Sequence, residues 1–139
     1  MLAGMASGST MFDRVGGEEF FESLTRRFYE SVAADPVLRR LYPEGPEGFE
    51  AARRHLKMFL MQYWGGPRVY ESTRGAPQLR ARHARFTIGQ TERDAWVEHM
   101  TAAVKAGGLS PLDESQMLGY LSAAASHLVN TPAEPAADT

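Results

Sequence analysis

Between Glu18 and Ala34 the chain carries neither Gly nor Pro, and Phe21, Leu24, Phe28 and Val32 recur at spacings of three and four. Successive residues of a helix turn by about 100°, so this spacing gathers one apolar stripe on one face and predicts a helix. Asp35-Pro36 closes it, because the residue before proline avoids the α region, and Val37 to Tyr42 is expected to add one further turn before Pro43 and the Gly45-Pro46 loop. From Glu47 to Trp64 the positions Phe49, Ala52, Leu56, Phe59, Leu60 and Tyr63 repeat at three and four, with Arg53, Arg54 and Lys57 opposite. This predicts a second amphipathic helix, ended by Gly65-Gly66-Pro67.

Residues 67–77 hold two Pro and one Gly with few large aliphatic residues, and are expected to form a loop leading into a short helix around Gln78 to Ala84. Thr91 to Ala106 reads as a third long helix with Trp96, Met100, Ala103 and Val104 on one side and Gly107-Gly108 as its stop. Ser110-Pro111 opens a fourth: Ser as N-cap, Pro at the first position, Asp113 and Glu114 in the first turn, and Leu118, Leu121, Ala125 and Leu128 as the apolar face. No stretch alternates with period two, so the expected fold class is all-α. A loop of the length of residues 67–77 inside a small domain is usually functional.

With 139 residues, 43% of them hydrophobic, the chain is long enough for one well-covered core without metal or disulfide staples. There is no cysteine, which excludes thiolate metal sites, iron–sulfur clusters and cysteine nucleophiles; a metal would need His, Asp, Glu, Tyr or a prosthetic group. The net charge of −2 argues against a protein built to hold nucleic acid or an anionic membrane. No apolar run approaches the roughly 18–20 residues that span a bilayer, and MLAGMASGST lacks the charge and apolar stretch of a secretory signal, so a cytoplasmic location is expected. Residues 1–10 read as a flexible leader, 11–131 as the domain, and 132–139 as a polar tail.

Phosphate loops, dinucleotide fingerprints, HExxH, GxSxG and EF-hand patterns are all absent, which removes most hydrolase and nucleotide readings. Four histidines remain. His55 and His99 lie beside charged residues and suit surface roles, and His127 suits a hydrogen-bonded place at the core edge. His83 differs by its surroundings: Leu79 and Phe86 flank it, Arg80, Arg82 and Arg85 surround it, and no acidic residue occurs between Ser72 and Thr91. A neutral imidazole there suits an axial ligand to haem iron, whose propionates need cationic partners. A solvated His on a basic helix, or contact with the phosphates of RNA or DNA, fits the same residues.

Tyr29, Tyr42 and Trp96 form a second group. Each joins a large apolar body to one donor, so burying them together requires acceptors. A diatomic ligand carrying partial negative charge would be one acceptor, and backbone carbonyls are the ordinary alternative.

Taken together these stretches resemble the truncated haemoglobins, and within them the second group. The resemblance covers residue 11 to about residue 131 and rests on FDRVGG (Phe12 to Gly17), RRFYESVAADPVLRRLYPE (Arg26 to Glu44), MFLMQYWGGP (Met58 to Pro67), LRARHARF (Leu79 to Phe86) and ERDAWVEHM (Glu92 to Met100). It implies a two-over-two helical sandwich enclosing haem b, with His83 as the proximal iron ligand and Tyr29, Tyr42 and Trp96 as the polar lining of the distal pocket. It also implies that Ala52 and Leu56 face the ligand, that Phe59 and Leu60 belong to the helix walling the pocket, and that Tyr63, Arg80 and Arg82 contact the haem edge or propionates.

The function implied is O2 binding at ferrous iron with slow release. That would support nitric oxide dioxygenation or peroxide chemistry, with O2, NO, CO or peroxide as small ligands, a separate reductase as electron source, and self-association between copies. Two other readings stand beside it: haem-based sensing or storage without turnover, and a helical nucleic-acid-binding module.

Overall fold

The computed structural model describes residues 10–42, 45–84 and 86–130, and of Arg80 the backbone alone. The expected leader, apart from Thr10, the expected tail at 132–139, and Arg85 lie outside the described residues. Eight helices occur among these residues: α1 (Met11–Val15), α2 (Glu18–Ala33), α3 (Pro36–Arg39), α4 (Pro46–Tyr63), α5 (Val69–Arg74), α6 (Leu79–His83), α7 (Gln90–Lys105) and α8 (Pro111–His127). The four long ones coincide with the four predicted from periodicity, within a residue or two at each end. None of the eight is long and apolar enough to cross a membrane.

The stripe predicted on α2 is the centre of the core. Phe21, Leu24, Phe28 and Val32 are fully buried, each stabilising the fold by roughly 1.5–3 kcal/mol through the apolar surface it hides. Leu60 and Met61 of α4, Met100 and Val104 of α7, and Met117 and Leu121 of α8 close around it. Helices α2 and α4 make one packed pair and α7 and α8 the other, joined where α2 meets α7. This arrangement agrees with the helical sandwich that the resemblance implies.

The joints follow from local chemistry. Thr10 caps α1, its hydroxyl accepting from the Asp13 N–H at 3.1 Å. Ser110 caps α8 by accepting from the Asp113 N–H at 3.2 Å, with Pro111 at the first position as predicted. Asp35 caps α3 by accepting from the Val37 N–H at 2.9 Å. The same carboxylate accepts from His99 Nε2 at 2.7 Å, which ties α3 to α7. At the end of α4, Gly66 lets α1 lie across the chain: a Cβ there would stand 2.6 Å from the Phe12 ring and 2.9 Å from the Met61 carbonyl.

Three expectations need correction. Residues 67–77 are not a plain loop, because residues 69–74 form α5. Tyr70 is buried against Phe59, with ring centroids 5.8 Å apart, and the Thr73 hydroxyl donates back to the Val69 carbonyl at 2.8 Å. One buried ring anchors this turn, too little periodicity to be read from sequence. His99 is half-buried and paired with Asp35 rather than a free surface residue. His127 is exposed rather than at the core edge, because its position on α8 lies on the face turned from Met117, Leu121 and Ala125.

Candidate functional site

The stripe of α4 is covered quite differently from that of α2. Phe49, Ala52, Leu56 and Phe59 pack against the core yet stay only half-buried, and Tyr63 is 48% exposed. Helical spacing puts these side chains along one face, so α4 presents an apolar strip that protein alone half covers. Leu60 of the same helix is buried in the core, at 1% exposure.

Two helices and a turn deliver polar aromatic groups to the N-terminal end of that strip. Tyr29 comes from the buried side of α2, Tyr42 from the turn after α3, and Trp96 from α7. The rings of Tyr29 and Tyr42 meet edge to face at 5.4 Å, and Phe49 closes the triangle at 5.1 Å from Tyr29 and 5.6 Å from Tyr42. Phe28 links this triangle to Trp96, at 5.0 Å from Tyr29 and 5.2 Å from Trp96. The Arg39 guanidinium covers the outer face of Phe49 at 4.2 Å. Such edge-to-face contacts fix ring orientation as well as adding attraction.

Burial raises the pKa of both tyrosines. For Tyr29 the rise is large, with the neighbouring Tyr42 adding to it. For Tyr42 hydrogen bonds from Tyr29 and Trp96 work against the rise. Both are therefore neutral phenols at physiological pH. A neutral phenol keeps one proton to donate besides its lone pairs.

His83 is the last residue of α6, the five-residue helix Leu79–His83, whose Arg82 lies over the Tyr70 ring of α5 at 5.6 Å. Its Nδ1 donates to the Leu79 carbonyl at 2.7 Å. That bond places the ring proton on Nδ1 and leaves the Nε2 lone pair free to bind a metal, the arrangement usual for a histidine ligand. Hydrogen bonds fix the segment on both sides. Arg82 donates to the carbonyls of Pro77 at 2.7 Å, Arg74 at 2.6 Å and Ala76 at 3.1 Å. Beyond α6, the Asn130 amide donates to the carbonyls of Phe86 at 2.8 Å and His83 at 3.3 Å.

No group of three or more His, Cys, Asp or Glu side chains suited to a metal occurs among the described residues. A single histidine can hold iron when the other ligands arrive with a prosthetic group. The donor chemistry of His83 and the half-covered strip of α4 both fit a flat apolar macrocycle carrying its own metal.

The bacterial-like globin family matches residues 10–130, which spans every described helix. The chain belongs to the bacterial-like globins. It is 41% identical over 114 residues to a group 2 truncated hemoglobin of Bacillus subtilis, covering 82% of this chain and 84% of that protein. The crystal structure of a thermostable hemoglobin from Thermobifida fusca superposes with a TM-score of 0.86 at 53% identity, covering 90% of this chain and 100% of that one. The group II truncated hemoglobin of Bacillus anthracis gives 0.85 at 36% identity, covering 91% and 95%. The chain is thus a truncated haemoglobin, in a family that binds haem and small ligands such as O2.

Within this globin the residues singled out from sequence fall into distinct places. Tyr29, Tyr42 and Trp96 share one cluster; Ala52 and Leu56 lie along the α4 strip; His83 stands on its own short helix. Tyr63 stacks on Tyr120 at 3.9 Å, and Arg82 is engaged with loop carbonyls, so neither side chain is idle in the protein alone. The Arg80 side chain lies outside the described residues. Sequence reasoning missed Phe49 as the third side of the tyrosine triangle, Arg74, which meets His55 Nε2 at 3.2 Å, and Asn130. Phe49 was visible only as one more apolar position, and Asn130, outside any periodic pattern, gave no signal.

Proposed function

We propose that this globin binds haem b through His83 Nε2 and holds O2 with slow release, and that the tightly held O2 oxidises nitric oxide to nitrate or the same pocket works on peroxide. The observation that carries the reading is the cluster of Tyr29, Tyr42 and Trp96 around Phe28 and Phe49, beside the half-covered strip of α4. Haem, when bound, supplies a ferrous iron that takes O2 and gives up one electron per turnover.

The chain's own residues set what happens to O2. Tyr42, a neutral phenol beside Tyr29 and Trp96, donates toward it. Ala52 and Leu56 add no competing polar group, and Phe28, Phe49 and Trp96 keep water from the pocket. Propionates would find cationic partners in Arg74 and Arg82, which converge near His55. Conversion of one NO and one O2 to nitrate consumes one electron, so sustained turnover requires a reductase from outside the chain, most simply in the cytoplasm.

A hydrogen bond to a partner with charge is worth on the order of 1.5–3 kcal/mol, and about 1.4 kcal/mol is tenfold in a rate. The test is stopped-flow O2 release from ferrous protein. Tyr42→Phe is expected to release O2 roughly ten- to a hundredfold faster than the parent, with Trp96→Phe intermediate. Parent-like rates in both variants reject this account of the pocket. Nitrate formed from NO with a reductant present, diminished in Tyr42→Phe, separates turnover from sensing or storage.

A further inference from the structure

A five-residue helix is too short to hold itself, since nucleation alone is unfavourable and propagation adds little over so few residues. Yet α6 carries the histidine on which the proposed function depends, and it meets α5 through the Arg82 guanidinium over the Tyr70 ring at 5.6 Å. Hydrogen bonds at its two ends hold its backbone. Arg82 supplies those on the N-terminal side, binding three carbonyls of residues 74–77.

On the C-terminal side the bonds come from one residue far away in sequence. Asn130 follows α8, yet its side chain and backbone together form a ladder with residues 83–88. Its amide Nδ2 donates to the Phe86 carbonyl at 2.8 Å and to the His83 carbonyl at 3.3 Å. Its Oδ1 accepts from the Ile88 N–H at 3.0 Å, and its backbone N–H donates to the Ile88 carbonyl at 2.9 Å. The Phe86 N–H closes the turn onto the His83 carbonyl at 3.0 Å. One side chain thus fills the acceptor and donor needs of a stretch that has no regular secondary structure. The Asn amide is the group that can do both at once.

We infer that Asn130 is a positioning residue for the proximal histidine: it ties the backbone at His83, Phe86 and Ile88 to the end of α8 and so would set the height and rotation of the His83 imidazole against a bound metal. The inference rests on the haem reading above. The ring is pinned at Nδ1 by the Leu79 carbonyl, so holding both ends of α6 constrains Nε2 as well. Freeing one end lets the imidazole tilt and drop, which weakens axial ligation without touching the distal aromatics.

The test uses holoprotein of the parent, Asn130→Ala and Asn130→Asp. The aspartate keeps an oxygen to accept from the Ile88 N–H but loses the amide donor to His83 and Phe86, so it preserves half the ladder. Two readouts are taken: the iron–histidine stretching band of the ferrous, ligand-free protein by resonance Raman, and the rate of haem transfer to excess apomyoglobin. The band is expected to broaden and move to lower frequency in both variants. Haem transfer is expected to quicken by roughly three- to tenfold, the loss of one or two ordinary hydrogen bonds. Bands superimposable on the parent's in both variants, even with lowered thermal stability, overturn the inference, because a merely structural Asn130 would change melting and not the band. Absence of any such band in the parent overturns the axial assignment to His83, and this inference with it.

Discussion

A hydrogen bond at one end of a side chain decides what the other end can do, and His83 of this globin shows it. The Leu79 carbonyl accepts from Nδ1 of His83 and leaves the Nε2 lone pair available. Tyr29 lies deeper in the core than Tyr42, so Tyr29→Phe is expected to quicken O2 release by roughly two- to tenfold, less than Tyr42→Phe, in the same stopped-flow experiment. Equal effects would mean that Tyr29 itself reaches the ligand. The three polar aromatics were legible in the sequence as a group that needed acceptors, and the resemblance to truncated haemoglobins drew them to one pocket. Which of them gives and which receives was not legible, because that depends on approach between helices some tens of residues apart.

At the scale of elements, length of pattern separates what sequence reveals from what it hides. The stripes of α2, α4, α7 and α8 repeat over several turns, and their caps sit where Pro, Ser and Gly-Gly place them. Helix α5 rests on Tyr70 and a local hydroxyl contact, and α1 on Thr10 and the close approach of Phe12 to Gly66, which only the folded chain creates. Gly66→Ala is expected to cost about 1–3 kcal/mol, because the new methyl would have to displace the Phe12 ring or the Met61 carbonyl. Urea unfolding measures it, and an unchanged midpoint would show that α1 is free to move off the end of α4. Ser110→Ala is expected to cost about 1 kcal/mol through the lost cap on α8, read in the same way. The half-covered stripe of α4 was the element-scale mark of a site. Its apolar spacing alone made it look like any core helix, since burial is a property of the fold and not of the period.

Over the whole molecule, carboxylates stitch helices together, and acid should undo them in a definite order. The Gly89 N–H and then Arg40 hold the Glu92 carboxyl below its ordinary value; His99 and the Val37 N–H do so for Asp35; Lys57 and Arg53 do so for Glu22. Groups lowered in the folded state take up protons more readily when unfolded. Their contribution is complete above the ordinary carboxylate range, near 4, and is lost as pH falls through their lowered folded values. His55 acts earlier. Burial and then Arg74, Arg54 and Arg82 push its pKa below the ordinary 6.5, so the unfolded chain protonates first and stability declines as pH falls from 6.5 toward the lowered value. Melting temperature against pH should therefore show a shallow fall below about 6.5 and a steeper one below about 4.5. His55→Gln should remove the first and Glu92→Gln should soften the second, and a profile flat from neutrality to pH 3 would contradict this ordering of charges.

The account turns on His83 as the residue that holds the prosthetic group. The most direct measurement is the absorption spectrum of parent and His83→Ala protein titrated with haem, first ferric and then ferrous, with O2 and CO added. Stoichiometric uptake by the parent with a sharp Soret band and ferrous O2 and CO adducts, lost or shifted in His83→Ala, is the predicted result. Failure of the parent to take up stoichiometric haem, or identical spectra for the two proteins, would contradict it.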